Sequence, residues 1–224
     1  MLPIQFIYTE NGKRKSSLDE HKRRCEIMEQ MYSKMADLLE DREIGDWKLE
    51  KFVIDNDNFM AKIQGIMPGT YVRLLYKGEC VMSDTDMEKR TNMDFCLNAH
   101  GDVLIGGLGI GMIILAIQDK PEVNSITVVE KNQEVIDMIA TQLNFNENVN
   151  IVCADVFEWK PERGIKYDVS YMDIWNYINK GVYEKEMKPL KRKYSRFLRN
   201  KKENPNRYNK CWAEDQARTG RRLV

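Results

Sequence analysis

The sequence predicts an α/β fold built on a parallel sheet, and three observations carry that expectation. Short apolar runs with strand character recur at Val103–Gly106, Ser125–Glu130, Val149–Cys153 and Tyr167–Asp173. Helical stretches, Met112–Gln118 and Gln133–Leu143, separate the first three. A glycine-rich turn, Gly106-Gly107-Leu108-Gly109-Ile110-Gly111, joins the first strand to its helix. Strands covered on both faces read as continuous apolar runs, and a parallel pair needs a crossover connection.

The elements before this series differ in kind. Ser17-Leu18-Asp19-Glu20 has the form of a capping box. After it Cys25, Met28, Met31, Met35 and Leu38 recur at helical spacing, which predicts an amphipathic helix from Leu18 to Glu40. From Trp47 to Ser83 the pattern turns to strands. Phe59, Ala61 and Ile63 alternate with polar or flexible neighbours, and Tyr71–Tyr76 is rich in strand formers. Lys77-Gly78-Glu79 reads as a hairpin turn, so this region is expected to be a small antiparallel β cap. Met87–Ala99 reads as a helix, and His100-Gly101 ends it. The predicted organisation is an N-terminal helix and cap over 1–99, a sheet core over 100–180, and a basic helical segment over 181–224.

Bulk composition excludes several classes. The 224 residues carry 35 basic and 35 acidic side chains, so no global field favours nucleic acid or a membrane surface. No apolar run approaches the roughly 20 residues of a membrane span. Met1–Phe6 lacks the basic and long apolar regions of a signal peptide, which sets a cytoplasmic expectation. The five cysteines are scattered and form no C-x-x-C pair, so neither a disulfide framework nor a zinc site is expected.

The chemistry gathers at the ends of the parallel strands, where ligands of open α/β sheets sit. Glycines let a backbone turn sharply and approach a ligand. The spacing here is G-x-G-x-G at Gly107, Gly109 and Gly111, not the G-x-G-x-x-G of nicotinamide binders. Glu130 lies nineteen residues past Gly111 at the end of the next strand, where a carboxylate can accept both hydroxyls of a ribose. A solvated strand-end acid is the alternative. Asp155 and Asp173 end the third and fourth strands; each has a capping role as its alternative.

Between Tyr71 and Asp173 the chain resembles class I S-adenosylmethionine-dependent methyltransferases, most closely their spermidine-synthase-like branch. The resembling residues are Val103–Gly111, Val128-Val129-Glu130-Lys131, Cys153–Phe157 and Tyr167–Asp173. The resemblance implies a Rossmann-like fold and S-adenosylmethionine as cofactor. It implies that Gly107, Gly109 and Gly111 hold the methionine part and that Glu130 binds the ribose. Asp155 would meet the adenine amino group, and the Val156 amide would face its ring. Asp173 would orient the acceptor or take its proton, with Asn176 donating a hydrogen bond and Trp175 forming a wall.

Departures from that branch narrow the reading. Polyamine synthases carry an acid in the glycine turn where this chain has Ile110, and a second acid where it has Asn176. Aminopropyl transfer is therefore disfavoured. After Asp173 there is little strand pattern: Glu184 to Lys202 reads helical, as does Trp212–Arg222. The expected sheet is thus shortened to about four parallel strands in the order 3-2-1-4. A helix, the cap or a second subunit would cover the fourth strand, which motivates a homodimer. The leading functional expectation is methyl transfer to an unidentified acceptor. A non-catalytic binding module that keeps the cofactor fold is the alternative from another class.

Between Lys185 and Lys210 eleven basic residues against two acids leave a local charge of +9. Tyr194, Phe197, Tyr208 and Trp212 are interleaved with this charge. The segment reads either as a nucleic-acid surface, with rings stacking on bases, or as a solvated amphipathic helix whose Tyr194, Phe197 and Leu198 pack inward. The second is favoured. Val81–Thr85, with Glu88 and Thr91-Asn92, precedes the first parallel strand and reads either as a gate over the ligand or as helix capping by Ser83 or Asp84.

Overall fold

A computed structural model of the chain describes residues 17–63 and 65–221. Helix α1 (Ser17–Met31) is followed by a 3-10 turn at Met35–Asp37. Strands β1 (Arg42–Ile44), β2 (Trp47–Ile54), β3 (Gly69–Tyr76) and β4 (Glu79–Ser83) form an antiparallel sheet in that order, with helix α2 (Phe59–Ile63) between β2 and β3. Lys77 and Gly78 both have positive φ, 51° and 84°, as a tight two-residue hairpin turn requires. Helix α3 (Asp86–Asn98) then leads into the parallel sheet.

Two expectations for this half are corrected. The first helix ends at Met31, not Glu40. Lys34 turns to an extended conformation, and the following turn sends Met35 and Leu39 to 0% exposure. Burying both outweighs continuing a helix that would present a single stripe. Phe59–Ile63, expected as a strand, is helix α2. Asn58 Oδ1 accepts the Ala61 N–H at 3.0 Å, a side-chain cap that nucleates the turn. The alternation there tracks no core face, since Phe59, Met60 and Ile63 are all exposed.

The second half holds β5 (Gly101–Gly106), α4 (Met112–Ile117), β6 (Val123–Glu130), α5 (Gln133–Ile139), β7 (Val149–Cys153) and β8 (Val169–Met172). Helix α6 (Lys180–Val182) continues through a π-helical turn, Tyr183–Met187, into α7 (Lys188–Ser195). Strand β9 (Tyr208–Cys211) and helix α8 (Glu214–Thr219) follow. The sheet order is β7-β6-β5-β8-β9, and every pairing is parallel. Its centre is dry: Val103, Leu104, Ile105, Ile126, Val128 and Val169 are each 0% exposed. No helix among the described residues is long and apolar enough to cross a membrane.

The expected count of four parallel strands is corrected to five. Tyr208-Asn209-Lys210-Cys211 is too polar to announce a strand; it forms by pairing with β8, Ser170 opposite Asn209 and Met172 opposite Cys211. β9 covers the β8 edge, so the reason given for a homodimer falls away. The helix expected over Glu184–Lys202 runs instead from Lys180 to Ser195, and the one expected from Trp212 starts at Glu214.

Register aligns the functional ends. Gly106 lies beside Val129 and Met172, Glu130 beside Cys153, and Met172 beside Cys211. The residues leaving these strands, from Gly107 to Trp212, therefore share one edge. Helix α3 backs this edge, with Phe95 stacked on Tyr171 at 4.2 Å and Tyr171 Oη donating to Asn92 Oδ1 at 2.8 Å. Its C-terminus is held by Lys120, whose ammonium donates to the carbonyls of Cys96, Leu97 and Ala99 at 2.9–3.2 Å. Lys120→Met strands these carbonyls and is expected to cost about 1–3 kcal/mol. Denaturant unfolding measures it; an unchanged midpoint would contradict the capping role.

Candidate functional site

The site is built from the turn after β5. Gly107, Gly109 and Gly111 have φ of 94°, 53° and 77°, a region costly for other residues. A side chain on Gly109 would collide with the Met82 thioether from the cap, and one on Gly111 with Leu143. Gly109 thus allows the cap to approach the turn, while Gly111 allows the segment after α5 to pack on α4. Gly107 donates its N–H to Val129 O, and Asp173 N–H closes onto Gly106 O.

Glu130 clamps this turn. Its Oε2 accepts the Leu108 N–H at 2.9 Å. Its Oε1 accepts the Asn132 backbone N–H at 2.9 Å and the Asn132 side-chain amide at 3.0 Å. The residue is 7% exposed, so these donors replace water around a buried carboxylate. A carboxylate offers about four acceptor positions. With three taken, Glu130 has room for one further donor, not the two expected from the sequence, unless the Asn132 amide swings away.

Two cavities flank Glu130 and share Gly107, Ile174 and Trp175 as a common wall. One, of about 250 Å³, is bordered by Lys131, Asn132, Asp155, Val156 and Phe157. The other, of about 240 Å³, lies under the cap and holds Gly109, Asp173 and Asn176. Together they reach the roughly 300–1,000 Å³ usual for small-molecule sites. Trp175 is buried and fixed by its indole N–H, which donates to Glu186 Oε2 at 2.8 Å. Gly111 lines neither cavity.

In the first cavity, Asp155 Oδ1 accepts the Phe157 N–H at 2.8 Å, and Oδ2 pairs with Lys131 Nζ at 2.9 Å. The Lys131 hydrogen bond holds the Asp155 carboxyl below the usual carboxylate range. The Val156 carbonyl accepts Tyr194 Oη at 2.8 Å and Lys193 Nζ at 2.9 Å. Helix α7 of the basic segment therefore pins the 155–157 turn. Tyr194, Trp212 and Tyr208 are 0%, 3% and 9% exposed. Their rings belong to the core and are not available to stack on bases.

The second cavity holds the acid pair. Burial pushes the Asp173 carboxyl up to about 7, with an Asn92 hydrogen bond acting in the opposite direction. Burial also raises Glu88 to about 8, and the charge of Asp173 adds to this. Near neutral pH the pair can thus hold and exchange a proton. Asn176 lies on the same cavity but is exposed. Ile110, at the position where an acid was sought, is fully buried.

Sequence reasoning gave Glu88 only a passing place and missed Trp47, Leu74 and Trp212, which also line this cavity. One signal was readable. Glu88 lies on the same helical stripe as Asn92, Phe95 and Cys96, and these are the buried residues of α3. An acid on a buried stripe is uncommon unless it is used. Val81 and Met82 reach the cavity, as a gate would. Helix capping by Asp84 or Ser83 does not occur. Asp84 is buried and accepts the Val72 N–H at 2.7 Å, while Ser83 bonds Thr85.

The sequence matches no protein-family model and no curated protein. Solved structures resemble it in part. A plantazolicin methyltransferase, BpumL, in complex with SAH is 21% identical over 50% of this chain and 39% of its own, with a TM-score of 0.36. A spermidine synthase in complex with the transition-state analogue AdoDATO is 13% identical over 71% and 52%, with a TM-score of 0.47. A fibrillarin/Nop5p complex is 19% identical over 44% of each chain, with a TM-score of 0.33. The chain spans about two-fifths of the plantazolicin methyltransferase it matches.

Proposed function

We propose that the crevice binds S-adenosylmethionine and that the chain transfers its methyl group to an acceptor seated under the cap. The observation that carries this reading is Glu130. It is a buried carboxylate with one acceptor position left, held over a glycine turn between two adjoining cavities. The donor set fits the group. Glu130 would take a ribose hydroxyl, Asp155 and Val156 the adenine, and Gly107 and Gly109 the methionine part, while Gly111 supports the turn from behind. When bound, the cofactor supplies a methyl group already activated on a sulfonium sulfur.

The chain's own residues then have positional work. Trp175 and Ile174 exclude water from the junction of the cavities, and Trp175 fixes the direction of approach. Asp173 accepts a proton from the acceptor or orients it, with Glu88 beside it as a proton reservoir. Asn176 hydrogen-bonds the acceptor at the mouth. Alignment of this kind supplies roughly 7–11 kcal/mol of barrier reduction in favourable cases. Aminopropyl transfer lacks the turn acid that it needs, because Ile110 faces the core.

Titration calorimetry and thermal unfolding with S-adenosylmethionine and S-adenosylhomocysteine test the reading. Ligand at a hundred times its Kd is expected to add about 2.7 kcal/mol of stability. No heat and no stabilisation with either would defeat it. Binding without methyl transfer to protein, nucleic-acid or small-molecule pools would replace it with a binding module.

A further inference from the structure

The cavity under the cap is lined by three tryptophans, Trp47, Trp175 and Trp212, and three carboxylates, Glu88, Glu130 and Asp173. Among the described residues no lysine, arginine or histidine lines it. Glu130 is already engaged by Leu108 and Asn132. Glu88 is not. It is 9% exposed, and among the described residues no hydrogen bond or ion pair reaches its carboxyl group. Buried polar groups in native proteins nearly always have a partner, and one left open on a cavity points to a ligand that supplies it. Asp173 beside it likewise has no cation, only the amide of Asn92.

We infer that this cavity binds a primary monoamine with an apolar body, its ammonium between Glu88 and Asp173 and its body against Trp47, Leu74 and Val81. Indole rings attract cations as well as apolar groups, and Trp47 and Trp175 in the lining suit this head and body alike. The cap side of the cavity, formed by Trp47, Leu74, Val81 and Met82, carries no acid. A second ammonium there would be desolvated without a partner, which disfavours diamines. An anion finds no cation among the described lining residues to pair with and is disfavoured. The inference deepens the proposed transfer by naming the class of acceptor, and it rests on that reading for that role alone.

Titration calorimetry of the full chain with benzylamine, benzyl alcohol, putrescine and benzoate tests it. Benzylamine is expected to bind at least tenfold more tightly than benzyl alcohol and more tightly than putrescine, with no binding of benzoate. Glu88→Gln, checked for a retained fold by circular dichroism, is expected to lower benzylamine affinity at least tenfold. Equal binding of the alcohol, tighter binding of putrescine, absence of benzylamine binding, or an indifferent Glu88→Gln variant overturns the inference. If that variant does not fold, the ligand order on the unaltered chain decides. S-adenosylhomocysteine is titrated in parallel. Its binding without amine binding removes the inference and leaves the cofactor reading; the reverse removes the cofactor reading.

Discussion

Glu130→Gln is expected to weaken S-adenosylhomocysteine binding by about a hundredfold, or roughly 2.7 kcal/mol. The side chain keeps its size but loses its charge and half of its acceptor capacity. Its new amide would face either the Leu108 N–H or the two Asn132 donors, all of which now converge on carboxylate oxygens. A donor set against donors leaves at least one buried group unpaired, at about 1–3 kcal/mol, and the lost hydroxyl contact adds to it. Unfolding midpoints should fall alongside affinity, because the same carboxylate ties the turn to β6. Asn132→Ala separates the two effects. It frees an acceptor position on Oε1 while leaving Leu108 held, so binding should change less than tenfold. A Glu130→Gln protein that binds within threefold of the parent would show that the carboxylate is only structural.

The second large effect is on stability as a function of pH. Glu88 and Asp173 have folded values of about 8 and about 7, against ordinary values of 4.5 and 3.8. Between roughly pH 4 and pH 8 the folded chain therefore retains protons that the unfolded chain has released. Stability falls as pH rises through this window and levels off above it. Asp84, also raised by burial, contributes with the same sign. Asp155 and Glu50, whose values are lowered, act oppositely and only below their ordinary range. For Glu88 the cost at the alkaline end is on the order of 4 kcal/mol. Glu88→Gln is expected to flatten the profile, gaining stability over the parent at pH 8 and little at pH 4. Denaturant titrations at several pH values measure this; parallel curves for variant and parent would mean that Glu88 is already paired or solvated.

Both predictions depend on parts of the site that differ in how readable they were. The β5 turn, Glu130, Asp155 and Asp173 stood out because each closes an apolar run, and strand ends in a parallel sheet converge by geometry. The acid pair was hardly visible. Glu88 comes from α3, Trp47 from the cap and Trp212 from the end of β9, so only tertiary packing brings them to Asp173. β9 was hidden because its four residues owe their strand form to β8. The break after Met31 and the helix at Phe59 were missed for a related reason: a buried Leu39 and a capping Asn58 overrode the local periodicity. The basic segment was legible in its packing, since Tyr194 and Leu198 do turn inward. Its use as a clamp on the Val156 carbonyl was not.

A crystal structure of the chain with S-adenosylhomocysteine decides whether the crevice holds the cofactor. It should place the adenine beside Asp155 and Val156, a ribose hydroxyl within hydrogen-bond distance of Glu130 Oε2, and the thioether sulfur facing the cavity of Asp173 and Trp175. A ligand bound elsewhere, or a Glu130 that keeps only Leu108 and Asn132 as partners while the ribose points to solvent, would contradict it.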